Sequence, residues 1–169
     1  TFVIMATPSS KIVLDHNILA SLTEEWKSQG QKVVFTNGCF DLIHLGHIQY
    51  LREAAAQGQK LVVALNADSS VARLKGPHRP IINEQTRLEV MAAFEFTDAV
   101  TLFTEDDPYA LILKLKPNVL VKGGDWAVEQ IVGSDVVLAA GGTVKSLTFA
   151  PGYSTTILEQ KIIKAHQKM

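Results

Sequence analysis

Val33-Val34-Phe35-Thr36-Asn37-Gly38-Cys39-Phe40-Asp41-Leu42-Ile43-His44-Leu45-Gly46-His47 is the stretch on which the reading of this chain turns. Val33 to Thr36 form a short apolar strand that runs into a glycine turn, and a brief loop then carries His44 and His47 into a helix. Gly38 has no side chain, so the backbone there can turn sharply and lie close to a ligand. Gly46 leaves the start of the helix uncovered, where free amides point outward and the dipole favours anions. The two imidazoles are three residues apart and fall on the same side of the helix. Together these features describe a phosphate cradle with two neutral-to-cationic donors at its edge.

On the amino-terminal side, residues 15–29 read as a helix capped by Asp15 and ended by Gly30, with Ile18, Leu19, Leu22 and Trp26 as its apolar stripe. That stripe covers the core or serves an oligomer contact. On the carboxyl side, the helix after His44 turns Ile48, Leu51 and Ala55 inward and stops at Gly58. Leu61 to Leu65 form a second strand, and strand, helix and strand make a βαβ unit with a right-handed crossover. A short helix capped by Asp68 or Ser69 follows. Lys75-Gly76-Pro77-His78-Arg79-Pro80 then breaks regular structure and supplies positive charge, as a loop closing over phosphates or as a solvated basic loop.

Asn83 caps the next helix, whose apolar face is Leu88, Met91 and Ala92; Arg87, one turn in, reaches a phosphate or pairs with Glu84 or Glu89. Residues 99–103 form a third strand, Asp107-Pro108 starts a helix that Pro117 stops, and residues 119–121 form a fourth. This fourth strand leads into Lys122-Gly123-Gly124-Asp125-Trp126, where bare backbone again meets the crevice of an α/β sheet. Asp125 and Trp126 contact a base or sugar hydroxyl there, or are a turn aspartate and a buried tryptophan. A helix over 136–140 and a strand over 144–147 precede the last helix, in which Thr156 and Glu159 form a capping box and Leu158 and Ile162 make the apolar contact. One residue suffices for a cap, so the run Ser154-Thr155-Thr156 has hydroxyls to spare for phosphate oxygens. The expected fold is therefore α/β, a central parallel sheet with helices on both faces.

With 169 residues and 47% hydrophobic content, the chain can bury a core as one domain, expected over 11–169 after a loose tail at 1–10. A formal net charge of −1 gives no overall pull toward nucleic acid or an anionic membrane, so any phosphate must be held by local donors. The opening Thr1 to Met5 is too short for a signal or a span and carries no basic leader. Cys39 is the single cysteine, which leaves no internal disulfide and fits a cytoplasmic protein.

The run from Gly38 to His47 resembles the Gly-x-Phe-Asp-x-x-His-x-Gly-His signature of the cytidylyltransferase-like nucleotidyltransferases. The resemblance extends from about Lys32 to Lys164 and implies a Rossmann-like domain that joins a nucleoside triphosphate to a phosphorylated acceptor and releases pyrophosphate. Members that use CTP usually carry an arginine before the terminal helix, within Arg-Thr-x-Gly-Ile-Ser-Thr-Thr. Here the stretch is Phe149-Ala150-Pro151-Gly152-Tyr153-Ser154-Thr155-Thr156, which keeps Ser-Thr-Thr and lacks the arginine. Within the family the chain is more similar to the heptose 1-phosphate adenylyltransferases of lipopolysaccharide-core biosynthesis. Asn66 to Val71 with Leu74 to Ile81, Thr86 to Ala93, and Leu120 to Trp126 carry that likeness.

The resemblance implies ATP and D-glycero-β-D-manno-heptose 1-phosphate as substrates and ADP-heptose as product, with Mg2+ accompanying ATP and no protein-held metal. It assigns His44, His47 and Lys75 to catalysis. Nucleotide binding falls to Asn37, Gly38, Cys39, Phe40, Gly46, Lys122, Gly123, Asp125, Ser154, Thr155 and Thr156, and acceptor binding to Asp41, Lys75, Arg79, Arg87 and Trp126. A homo-oligomer is expected. Some relatives are fused to a sugar kinase, and none stands in these residues, so a separate kinase is expected to supply the acceptor. The alternatives are a CTP-dependent enzyme acting on glycerol 3-phosphate or a similar phospho-alcohol, and a non-catalytic nucleotide-binding module. A zinc site on His44 and His47 lacks ligands, and a dinucleotide-binding domain lacks its glycine triplet.

Overall fold

The computed structural model describes residues 9–149 and 151–167, so the tail expected over 1–10 lies largely outside the described residues. Helix α1 (His16–Ser28) comes first, then β1 (Val33–Gly38), α2 (Leu45–Ala55), β2 (Lys60–Asn66), α3 (Asp68–Lys75), α4 (Glu84–Ala92), β3 (Ala99–Phe103) and α5 (Tyr109–Leu115). They are followed by β4 (Val119–Gly123), a 3-10 turn (Val128–Gln130), α6 (Ser134–Ala139), β5 (Thr143–Leu147) and α7 (Thr155–His166). The strands form one parallel sheet in the order β3-β2-β1-β4-β5. The chain winds outward from β1 to β3, crosses back to β4 and winds outward again to β5. The loops leaving β1 and β4 therefore part at the carboxyl edge of the sheet, the position where open α/β sheets bind ligands.

Phe35 sits level with Val62 of β2 on one side and Leu120 of β4 on the other. A strand flanked on both edges and covered on both faces needs an unbroken apolar run. The two-residue period divides the sheet between two cores. Val34, Leu61, Val63 and Leu65 pack with Leu51 of α2 and with Leu88 and Met91 of α4. Val33, Phe35, Val62 and Ala64 pack with Leu19 of α1, with Leu111, Ile112 and Leu115 of α5, and with Val137 of α6. Residues 11–13 pair with the free edge of β3, Val13 donating to the Val100 carbonyl at 2.8 Å.

Some local expectations are corrected. In α1, Leu19 and Thr23 face inward and Ile18 is 61% exposed. Leu19 and Thr23 are four positions apart on the face turned to the core, and Ile18 falls on its edge toward solvent. Neither Asp68 nor Ser69 caps α3; Ala67 stands at the cap, and the Asp68 amide donates to Glu84 at 2.8 Å. Ser154, not Thr156, caps α7 by accepting from the Ile157 amide at 3.1 Å, and no capping box forms because Glu159 turns to Arg79. Ile162 does not pack inward, and α7 has no buried residue.

Candidate active site

A cleft of about 500 Å³ opens where the winding reverses. β1 brings Asn37 and Gly38 to its floor, and Cys39, Phe40 and Asp41 follow on its wall. Phe40 has φ +47°, a left-handed conformation that residues with side chains adopt rarely, and it turns the chain off the strand toward α2. Burial pushes the Cys39 thiol pKa up, so it stays protonated and is no nucleophile.

His44 is the N-cap of α2, and its Nδ1 accepts from the His47 amide at 3.4 Å. The two rings stack with centroids 3.8 Å apart and planes 18° apart. Gly46 lies between them, where an added Cβ would come within 3.0 Å of Tyr153 Cβ and 3.1 Å of the His44 ring. Its bareness thus admits the terminal segment, while the cleft wall itself is formed by His47. Burial first, then His44 and Lys75, lower the His47 pKa to about 4, so the ring is neutral at pH 7. Its Nδ1 is buried with no hydrogen-bond partner among the described residues. An unpaired acceptor is less costly than an unpaired N–H, which puts the ring proton on Nε2.

Lys75, at the end of α3, and Lys122, from β4, both line the cleft and make no ion pair among the described residues. Burial, reinforced by Lys75, pushes the Lys122 pKa down. Gly123 and Trp126 line the opposite loop; the Trp126 indole donates to the Gly123 carbonyl at 3.1 Å, and the side chain is half exposed rather than buried. Between them Gly124 takes φ +118°, which a residue with a Cβ would not tolerate without strain. Thr155 is the hydroxyl of the terminal run that reaches the cleft.

Other expected site residues are differently employed. Asp41 is 4% exposed, and its carboxylate accepts from the Ile81 and Ile82 amides at 2.9 and 2.8 Å and from Arg79 Nε at 2.7 Å. Burial alone would raise its pKa, but the Ile82 and Ile81 amides and Arg79 together hold it below the usual carboxylate range. Arg79 also donates to Glu159 at 3.0 Å, so the guanidinium that lines the cleft is engaged by two carboxylates. Arg87 does not face the cleft. It is 1% exposed and donates to the carbonyls of Ile82, Cys39 and Asn66 and to Asp68 at 2.6–3.0 Å, which binds three segments together and keeps the guanidinium inside the protein, away from the cleft. His44, Gly46, Asp125, Ser154 and Thr156 do not line the cleft either; His44 and Ser154 are caps, and Asp125 and Thr156 are exposed.

Several lining residues escaped the sequence reading. Tyr50 has its hydroxyl 2.6 Å from Thr36 Oγ1 and 3.4 Å from the Val121 carbonyl, fastening α2 to both central strands, and burial raises its pKa to about 12. Asn66, Asp106, Asp107, Gln130 and Phe149 also line the cleft. For Asp106, Asp107 and Phe149 the signal was position just beyond the carboxyl end of a strand, while Gln130 comes from the 3-10 turn after β4. Among the described residues no group of three or more His, Cys, Asp or Glu side chains is arranged to hold a metal ion.

A parallel sheet of this winding, with a histidine-bearing helix start at the point of reversal, defines a Rossmann-like nucleotidyltransferase domain. The chain belongs to the cytidylyltransferase-like family, whose model matches residues 35–161. It is 51% identical over 148 residues to bifunctional protein HldE of Geobacter metallireducens, covering 88% of this chain and 30% of that protein. The chain thus spans less than a third of the length of that relative. The crystal structure of the lipopolysaccharide core biosynthesis protein from Thermoplasma volcanium GSS1 superimposes with a TM-score of 0.56 at 30% identity, over 72% of this chain and 98% of that one. Pantoate-beta-alanine ligase from Francisella tularensis shares the fold, with a TM-score of 0.58 at 15% identity over 81% and 66% of the two chains. Nucleotidyltransferases of this kind generally take their nucleotide with a divalent metal. Among the described residues no helix is long and apolar enough to cross a membrane.

Proposed function

We propose that the chain transfers AMP from ATP to D-glycero-β-D-manno-heptose 1-phosphate, giving ADP-heptose and pyrophosphate for lipopolysaccharide-core synthesis in the cytoplasm. The observation that carries the reading is the cleft at the reversal point, where His47, Lys75, Lys122 and Thr155 converge in a chain 51% identical over 148 residues to a part of HldE of Geobacter metallireducens. An oxygen of the sugar phosphate attacks the α-phosphorus, a new P–O bond forms, and the bond to the β-phosphate oxygen breaks. The attacking oxygen is already ionised, so no protein nucleophile is needed, and the protein supplies alignment and charge stabilisation.

His47 Nε2–H donates to the non-bridging oxygens of the α- and β-phosphates. His44, stacked on it, fixes the ring's orientation. Lys75 meets the acceptor phosphate or the leaving pyrophosphate, Lys122 adds charge at the floor, and Thr155 holds the leaving group. Asn37, Gly38 and Gly123 offer backbone to the nucleotide, and Trp126 covers the acceptor. Magnesium enters on ATP as part of the substrate and keeps several of its waters. The protein acts as a homo-oligomer, for which Leu14 and Ile18, each more than half exposed at the start of α1, offer an apolar face.

The test is pyrophosphate release with magnesium, crossing ATP and CTP against heptose 1-phosphate and glycerol 3-phosphate. Release with ATP and the heptose alone is expected. Release with CTP would mean that the missing arginine does not report base choice. Silence in every pairing, with ATP still bound, would remove the heptose assignment.

A further inference from the structure

We propose that Arg79 is a positioning residue, a latch that grips Asp41 and Glu159 at once and so holds the start of α7 over the cleft. The proposal rests on the nucleotidyl-transfer reading above and adds how the leaving-group side of the site is assembled. One end of the latch is firmly set. Asp41 is held by the Ile81 and Ile82 amides and lies in the short loop that leads to His44 and His47. The other end is Glu159, whose Oε1 accepts from Arg79 Nη1 at 3.0 Å. The side chains of Arg79 and Glu159 are 16% and 29% exposed, so the pair is partly shielded from water and worth more than an open surface pair.

α7 has little else to hold it. It buries no residue, and among the described residues the Arg79–Glu159 contact is the one hydrogen bond joining it to the rest of the fold. Glu159 stands four positions after Thr155, so the two share a helix face. Drawing Glu159 toward Arg79 therefore turns Thr155 to the cleft and Thr156 away, which is how the two are found. The bridge needs a planar fork that donates in two directions. Arginine provides this, while the point charge of lysine cannot reach both carboxylates.

The experiment compares the full chain with Glu159→Gln, Arg79→Lys and the double variant, using amide hydrogen exchange and ATP titration without acceptor. Both single variants are expected to raise exchange across residues 158–166 about ten-fold while the amides of β1 and β4 keep their protection. ATP affinity is expected to fall about five-fold, as for loss of one partly shielded charge-assisted hydrogen bond, and the double variant should match Arg79→Lys alone. In turnover the KM for ATP should rise with little change in the KM for the sugar phosphate, a split that general unfolding would not produce. Unchanged exchange in α7, or raised exchange with unchanged ATP affinity, would overturn the latch. A wild-type chain that fails to use heptose 1-phosphate would count against the proposed function alone, because exchange and ATP binding need no acceptor.

Discussion

His47 enters the reaction uncharged. Its lowered pKa comes chiefly from burial, so at pH 7 it presents an Nε2–H donor that needs no desolvation of a cation before it meets a phosphate. Replacing His47 with Ala should lower turnover on ATP and the sugar phosphate by about 100- to 1,000-fold, equivalent to about 2.7–4 kcal/mol of barrier, with a much smaller loss of ATP affinity. Steady-state rates beside calorimetric ATP titration check this; equal losses in both would make His47 a ground-state binder only. Arg87 is the opposite case, an arginine whose charge is wholly engaged inside the protein. Arg87→Met should destabilise the fold by about 3–5 kcal/mol in urea unfolding, because Asp68 and the Cys39 and Asn66 carbonyls lose their donor. A stable Arg87→Met protein with weakened ATP binding would instead put Arg87 on the substrate.

Elements that share a core and elements that do not should respond differently to the same kind of damage. Asn83 caps α4, whose Leu88 and Met91 are fully buried, so Asn83→Ala should lower global stability by about 1 kcal/mol. Ser154→Ala removes an equivalent cap from α7, but that helix buries nothing. The urea midpoint should therefore hardly move while exchange at residues 157–160 rises; a midpoint shift equal to that of Asn83→Ala would show that α7 is packed more firmly than this. The same contrast explains what could be read in the sequence. β1 to β5 and the helices over them were legible because burial imposes a period of 2 or 3.6 on their side chains. His47, Lys75, Lys122 and Thr155 were legible because a spaced motif or a strand end marked them. The partners of Arg87, Asp41 and Glu159 could not be read because they lie far along the chain, and nothing local distinguishes an arginine aimed at a phosphate from one aimed at three carbonyls. Tyr50 was missed for a related reason, since a buried hydroxyl is recognised only by what it touches.

At the scale of the whole molecule, the titrating groups of the cleft set the pH range of stability. The His47 pKa is about 4 in the folded chain and near 6.5 unfolded, so between those values the unfolded chain binds more protons. Stability from this group is therefore complete above pH 6.5 and is lost as the pH falls toward 4. The Asp41 pKa is lowered as well, and its contribution is present above the ordinary carboxylate range and disappears below it as the buried carboxylate must protonate. Tyr50 works from the other side. Burial raises its pKa from 10 to about 12, so its stabilisation is intact below pH 10 and fades between 10 and 12. A plateau from about pH 7 to 9 with a shoulder on each side is the expected profile, measured as urea midpoints at half-unit intervals. His47→Gln should shrink the acid shoulder between pH 6.5 and 4 to the part left by His44, whose pKa burial also lowers, and leave the alkaline one unchanged, while Tyr50→Phe should remove the alkaline shoulder alone. An acid shoulder that keeps its full size in His47→Gln would mean that the His47 pKa is not lowered in the folded chain, and the neutral-donor account of the site would fall with it.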